Sequence, residues 1–125
     1  MERKLKVSLV LGASYTRRAL DVLSSLGEAI EVKALGLLNE ISVDSYHTDV
    51  PLQTFMEDQH LPGFMLGLED ELANSDVIIA SGLADHPTHQ AFRFAYHQQK
   101  PFLLFCQSES EIKTALLQHA SEFED

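Results

Sequence analysis

The stretch Leu5-Lys6-Val7-Ser8-Leu9-Val10-Leu11-Gly12 is a nearly unbroken apolar run stopped by a glycine. A strand covered on both faces reads this way, whereas a strand with one wet face alternates apolar and polar residues. Further segments of the same kind follow. Residues 30–38 carry Ile30, Val32, Ala34 and Leu37, with Glu31 and Lys33 between them. Val77-Ile78-Ile79-Ala80-Ser81 is introduced by Asp76 and closed by Gly82, and Phe102-Leu103-Leu104-Phe105-Cys106 follows Lys100-Pro101.

Between these runs lie helical spacings. Ala19, Leu20, Leu23 and Leu26 fall three and four apart within residues 14–26, and Gly27 stands where a C-capping glycine belongs. Pro51 followed by Leu52, Phe55 and Met56 predicts a short helix. Met65, Leu68 and Leu72, after Pro62-Gly63, predict another that ends near Asn74. Pro87 suits a first helical turn in front of an apolar stripe of Ala91, Phe92, Ala95 and Tyr96. Ser108 and Glu111 form a capping box for a last helix bearing Ile112, Ala115, Leu116 and Ala120.

Strands alternating with helices predict one α/β domain over residues 1–125. The expected architecture is a Rossmann-like or flavodoxin-like parallel sheet of four to five strands, in the order 2-1-3-4, with helices on both faces. In that order the chain reverses direction between the first and third predicted strands. A crevice is therefore expected above their C-terminal ends, between residues 12–16 and residues 81–86.

Composition narrows what the crevice serves. The chain has 125 residues, 45% of them hydrophobic and 22% charged, which suits one globular domain. No run approaches the ~20 apolar residues of a membrane helix, and the basic patch at Arg3-Lys4 leads straight into the first strand without a signal segment. A single cysteine excludes an intramolecular disulfide framework and points to a reduced, cytoplasmic setting. The net charge is −10, from 9 Lys and Arg against 19 Asp and Glu. Residues 34–92 hold no Lys or Arg, yet carry Glu40, Asp44, Asp49, Glu57, Asp58, Glu69, Asp70, Glu71, Asp76 and Asp85. Such a face repels phosphate backbones, so neither nucleic acid nor an anionic membrane is an expected partner. Solubility is its plain role, and a surface for a basic partner protein is the alternative.

The first expected loop reads Gly12-Ala13-Ser14-Tyr15-Thr16-Arg17-Arg18. A dinucleotide fingerprint needs glycines where Ser14 and Arg17 stand, so no dinucleotide cofactor is expected in the usual manner. Two arginines in a first helical turn oppose the helix dipole, and an anion at that N-terminus would reverse the penalty. Ser14 and Thr16 add hydroxyl donors, and Tyr15 offers a ring for a base or sugar; the alternative is a solvated pair of arginines and a tyrosine covering the helix start. The second loop reads Ser81-Gly82-Leu83-Ala84-Asp85-His86-Pro87-Thr88-His89. Asp85 suits either a sugar-hydroxyl acceptor or a helix N-cap. His86 and His89 lack a third ligand at fixed spacing, so no metal is expected. Cys106 reads as a small hydrophobe, and His47, His60, His97 and His119 show no partnered spacing.

From Glu69-Asp70-Glu71-Leu72-Ala73-Asn74-Ser75-Asp76-Val77-Ile78-Ile79-Ala80 onward, the second half resembles the nucleoside 2-deoxyribosyltransferases. Asp85, Thr88, Ala95, Tyr96, Lys100 and Pro101 match that family's pattern. The resemblance implies a crevice for a nucleoside or nucleotide, with Asp76 and Asp85 near base and sugar. It also implies a homo-oligomer, because a neighbouring subunit usually completes the family's site. Ala91 stands where the family carries its nucleophilic glutamate, and alanine forms no glycosyl-enzyme ester. Lys6 to Leu11, Gly12-Ala13 and the strand after Asp76 with Asp85-His86 also resemble the cofactor domain of the glucose-fructose oxidoreductase and inositol dehydrogenase family, with Cys106-Gln107-Ser108 in place of its Glu-Lys-Pro. Leu11-Gly12-Ala13-Ser14 and Ser45-Tyr46-His47 are similar to the aminoimidazole ribonucleotide carboxylase fold, with Thr48 at its arginine.

Together these readings predict a small-molecule binding protein for a nucleoside, nucleotide or sugar phosphate, related to a degenerate deoxyribosyltransferase or hydrolase. The expected contacts are Gly12, Ser14, Tyr15, Arg17, Asp76, Ser81, Gly82, Asp85 and His86, with no metal and no cofactor. The alternatives are a catalytically silent Rossmann-like interaction module and a stand-alone NAD(P)-binding-like domain.

Overall fold

The computed structural model describes residues 4–11, 17–25, 30–38, 49–61, 64–81 and 86–104, with backbone alone at 17 and 18. Their elements are β1 (Leu5–Leu11), α1 (Arg17–Ser24), β2 (Ile30–Leu37), β3 (Leu52–Phe55), α2 (Leu68–Leu72), β4 (Val77–Ala80), α3 (His86–Gln98) and β5 (Phe102–Leu104). The strands form one sheet in the order β3-β2-β1-β4-β5, and every neighbouring pair is parallel. This is an α/β fold with the strand order of the Rossmann family.

The order is not the expected 2-1-3-4. The four expected strands keep their mutual positions, but an additional strand lies outside β2, where Leu52, Phe55 and Met56 predicted a helix. Leu52 to Phe55 instead pair with Ala34 to Leu37, and the Pro51 carbonyl accepts the Ala34 amide at 2.8 Å. Proline tolerates that place because it lies just ahead of an edge strand. The apolar spacing misleads because both faces of the sheet are covered. Leu52 turns to one face and Phe55 to the other, so a three-residue interval serves a strand as well as a helix.

Alternation along the strands divides the core in two. Leu5, Val7, Leu9, Leu11, Ile30, Ala34, Val77 and Ile79 pack with Ala19, Leu20 and Leu23 of α1. Val10, Leu35, Leu37, Phe55, Ile78 and Ala80 pack with Leu68 and Leu72 of α2 and with Ala91 and Ala95 of α3. Burying each large side chain contributes on the order of 1.5–3 kcal/mol, so the central strand, with Leu5, Val7, Leu9, Val10 and Leu11 all buried, is a large contributor to stability. The expected stripe on α3 is only half realised: Ala91 and Ala95 are buried, whereas Phe92 is 49% and Tyr96 73% exposed. Their rings stack on each other at 6.4 Å, and Phe92 meets Phe102 of β5 edge-on at 5.5 Å. The last predicted helix, Phe105 and Cys106 lie outside the described residues.

α3 ends in a Schellman turn. The Lys100 amide donates to the Ala95 carbonyl at 2.9 Å and the Gln99 amide to that of Tyr96 at 3.3 Å. Gln99 thereby adopts φ 55°, a left-handed conformation that glycine takes without steric cost. Gln99→Gly is expected to stabilise the fold by about 1 kcal/mol, read as a higher urea midpoint at unchanged slope.

Candidate functional site

The two ends of the sheet differ in what their polar groups do. At the N-terminal end, Asp76 donates its amide to the Lys6 carbonyl (2.8 Å) and accepts the Lys6 amide on its carboxylate (2.9 Å), adding a rung below the β1–β4 ladder. Lys33 of β2 pairs with Glu71 of α2 at 2.8 Å. The Lys100 ammonium donates to the carbonyls of Ser75 (2.6 Å) and Ala73 (3.3 Å), where the α2 dipole is negative. These groups are spent on holding strands and helices together.

This settles the place of Asp76. The resemblance put it beside the ligand with Asp85, but it precedes β4 and sits at the opposite end of the sheet from Ser81. The four residues of β4 lie between the two, a span of roughly 16 Å. Asp76 is a strand-capping residue and is removed from the crevice.

At the C-terminal end, β1 and β4 finish side by side. Val10 pairs with Ala80, and the Ser81 amide carries the ladder one residue further to the Val10 carbonyl at 3.0 Å. The Ser81 hydroxyl turns onto the same carbonyl at 3.4 Å. From Leu11 the chain leads to α1 on one face of the sheet; from Ser81 it leads to α3 on the other. The direction of winding changes between these two strands, so this is the topological switch point of the fold. α1 opens at Arg17 and α3 at His86, each directing the positive end of its dipole to this edge. Of the expected contacts, Ser81, Arg17 and His86 are therefore brought to one end of the sheet. Gly12, Ser14, Tyr15, Gly82 and Asp85 lie outside the described residues.

Position 91 does not face this edge openly. Ala91 is fully buried between α3 and the sheet, among Val10, Ile78 and Ala80. A carboxylate there would be placed in apolar packing, without access to solvent.

A groove of about 770 Å³ runs along the outer flank of α3, starting at His86. It is lined by His86, His89, Arg93 and His97 of α3, by Glu69 of α2, and by the apolar Leu61 and Phe64. Its wall is fixed by Gln90, whose buried amide accepts the Met65 N–H at 2.8 Å and donates to the Met65 carbonyl at 3.0 Å. Met65 in turn bridges antiparallel to Glu57, with supporting bonds from the Asp58 amide to the Phe64 carbonyl and from the Leu66 amide to that of Met56. Gly67, at φ 84°, turns this segment into α2. Arg93 and His97 carried no role on sequence grounds, His89 was weighed only as a metal ligand beside His86, and His86 was expected as a contact of the crevice. The signal was present in the spacing 86, 89, 93 and 97, which is one side of a helix.

Among the described residues, no group of three or more His, Cys, Asp or Glu side chains is placed to hold a metal ion. No helix among them is long and apolar enough to cross a membrane. No protein-family model matches the chain, and neither a curated protein nor a solved structure matches it significantly.

Gln90→Ala leaves both polar groups of Met65 buried without these partners. The expected loss is about 1–3 kcal/mol in urea unfolding, with faster hydrogen exchange at the Met65 amide.

Proposed function

We propose that this protein binds a nucleoside, nucleotide or sugar phosphate in the crevice above the C-terminal ends of β1 and β4. The observation that carries the reading is the switch of winding between these adjacent strands, with Val10 and Ser81 hydrogen-bonded at the rim. Ligands of open α/β sheets bind at such points because the connecting loops part there. Arg17 and the α1 N-terminus favour the anionic part of the ligand, with Gly12, Ser14 and Tyr15 preceding them in the chain. Ser81, Gly82, Asp85 and His86 serve the second loop.

The reading is binding without glycosyl transfer through position 91, given the burial of Ala91. The resemblance to the deoxyribosyltransferases supports the nucleoside class and a homo-oligomer, and the single cysteine supports a cytoplasmic setting. Sedimentation equilibrium tests the assembly: a monomer at all concentrations removes that part of the proposal.

A thermal-shift panel of nucleosides, nucleotides and sugar phosphates tests the ligand class. A ligand at 100 times its dissociation constant adds about 2.7 kcal/mol, on the order of a 10 °C rise for a chain of this size. Arg17→Glu is expected to abolish the rise for phosphorylated ligands. A flat response to the whole panel would overturn the reading.

A further inference from the structure

His86, His89, Arg93 and His97 stand one above another on α3, over a rise of roughly 16 Å. In a chain of net charge −10 whose residues 34–92 contain no Lys or Arg, Arg93 places a positive charge at the centre of this stripe. Arg93 is exposed, and among the described residues no carboxylate lies in ion-pair contact with its guanidinium. Its neighbours one turn to either side, His89 and His97, are exposed as well. Glu69 is the acid that shares the groove.

The apolar lining has a different chemistry, with Leu61 and Phe64 facing α3 and Phe94 on α3 itself. Leu61 is 55% exposed, Phe64 and Phe94 are half-buried, and all three line the same groove. Holding the segment of Phe64 against α3 is the reciprocal amide pair of Gln90 with the neighbouring Met65, so the concavity is built into the packing. At about 770 Å³ it falls within the size range of small-molecule sites.

We propose that the α3 groove binds an organic anion, a phosphate or carboxylate attached to an aromatic or acyl body. Arg93 presents the planar donor fork that matches either anion, and His89 and His97 flank it with ring N–H donors. The body of the ligand lies on Phe64, Phe94 and Leu61. A guanidinium at the centre of the stripe repels a cation, so the histidines act as hydrogen-bond donors here and not as metal ligands. The site does not depend on the crevice reading, since only His86 lies at both.

The test is calorimetric titration of the full chain with phenyl phosphate, benzoate, inorganic phosphate and benzyl alcohol, with amide chemical shifts followed in parallel. Binding by phenyl phosphate, benzoate or both, at least tenfold tighter than by benzyl alcohol, is expected, and the ratio of the two assigns phosphate or carboxylate. Inorganic phosphate is expected to bind more weakly than phenyl phosphate, because it leaves the apolar wall uncovered. Arg93→Glu should weaken binding at least tenfold while the melting curve stays cooperative, and Arg93→Lys should restore part of it. Equal binding of benzyl alcohol, or no binding of either aromatic anion, overturns the proposal. Loss of binding with Arg17→Glu and none with Arg93→Glu would place the anion in the crevice, overturning the groove while leaving the crevice reading intact.

Discussion

The structure depends on β1 being hydrogen-bonded on both edges. Its residues Leu5 to Leu11 pair with Ile30 to Gly36 of β2, and Val7 to Val10 pair with Val77 to Ala80 of β4. A strand in that position offers water neither edge and neither face, which is why Leu9, Val10 and Leu11 are fully buried. Because both pairings are parallel, the chain must cross over the sheet to reach each neighbour, and the crossovers supply the covering helices. One buried strand thus dictates two core layers, the switch of winding beside it, and two helices that begin at the same rim.

The division between the ends of the sheet follows from the same geometry. In a parallel sheet all strands finish at one edge, so groups preceding the strands and groups following them come to opposite ends of the sheet. Asp76 and Lys100, each just ahead of a strand, are braced against backbone at the first edge. Ser81, Arg17 and His86 follow strands and gather at the second.

The buried strands were legible in the sequence because their composition leaves no other reading. The bounds of β1 were as expected, and those of β2 and β4 within a residue. β3 was not, since Leu52 and Phe55 serve opposite faces and so imitate a helical interval. Phe92 and Tyr96 were read as core because they are aromatic and suitably spaced; the structure gives the core side of α3 to Ala91 and Ala95, which let the helix approach the sheet. For the site, the switch point was legible because it follows from topology alone. Asp76 was misplaced because its role came from a resemblance and not from its position ahead of a strand. The polar side of α3 was passed over because His86 and His89 were weighed as neighbours in sequence, without Arg93 and His97 one and two turns further along.

The adjacency of β1 and β4 at their C-terminal ends is the claim on which the crevice stands. It is tested most directly by NMR detection of scalar coupling across the hydrogen bond from the Ser81 amide to the Val10 carbonyl. The account predicts a measurable coupling there and slow exchange of that amide with solvent. An uncoupled, rapidly exchanging Ser81 amide would contradict it, because the ends of the two strands would then not share a rim.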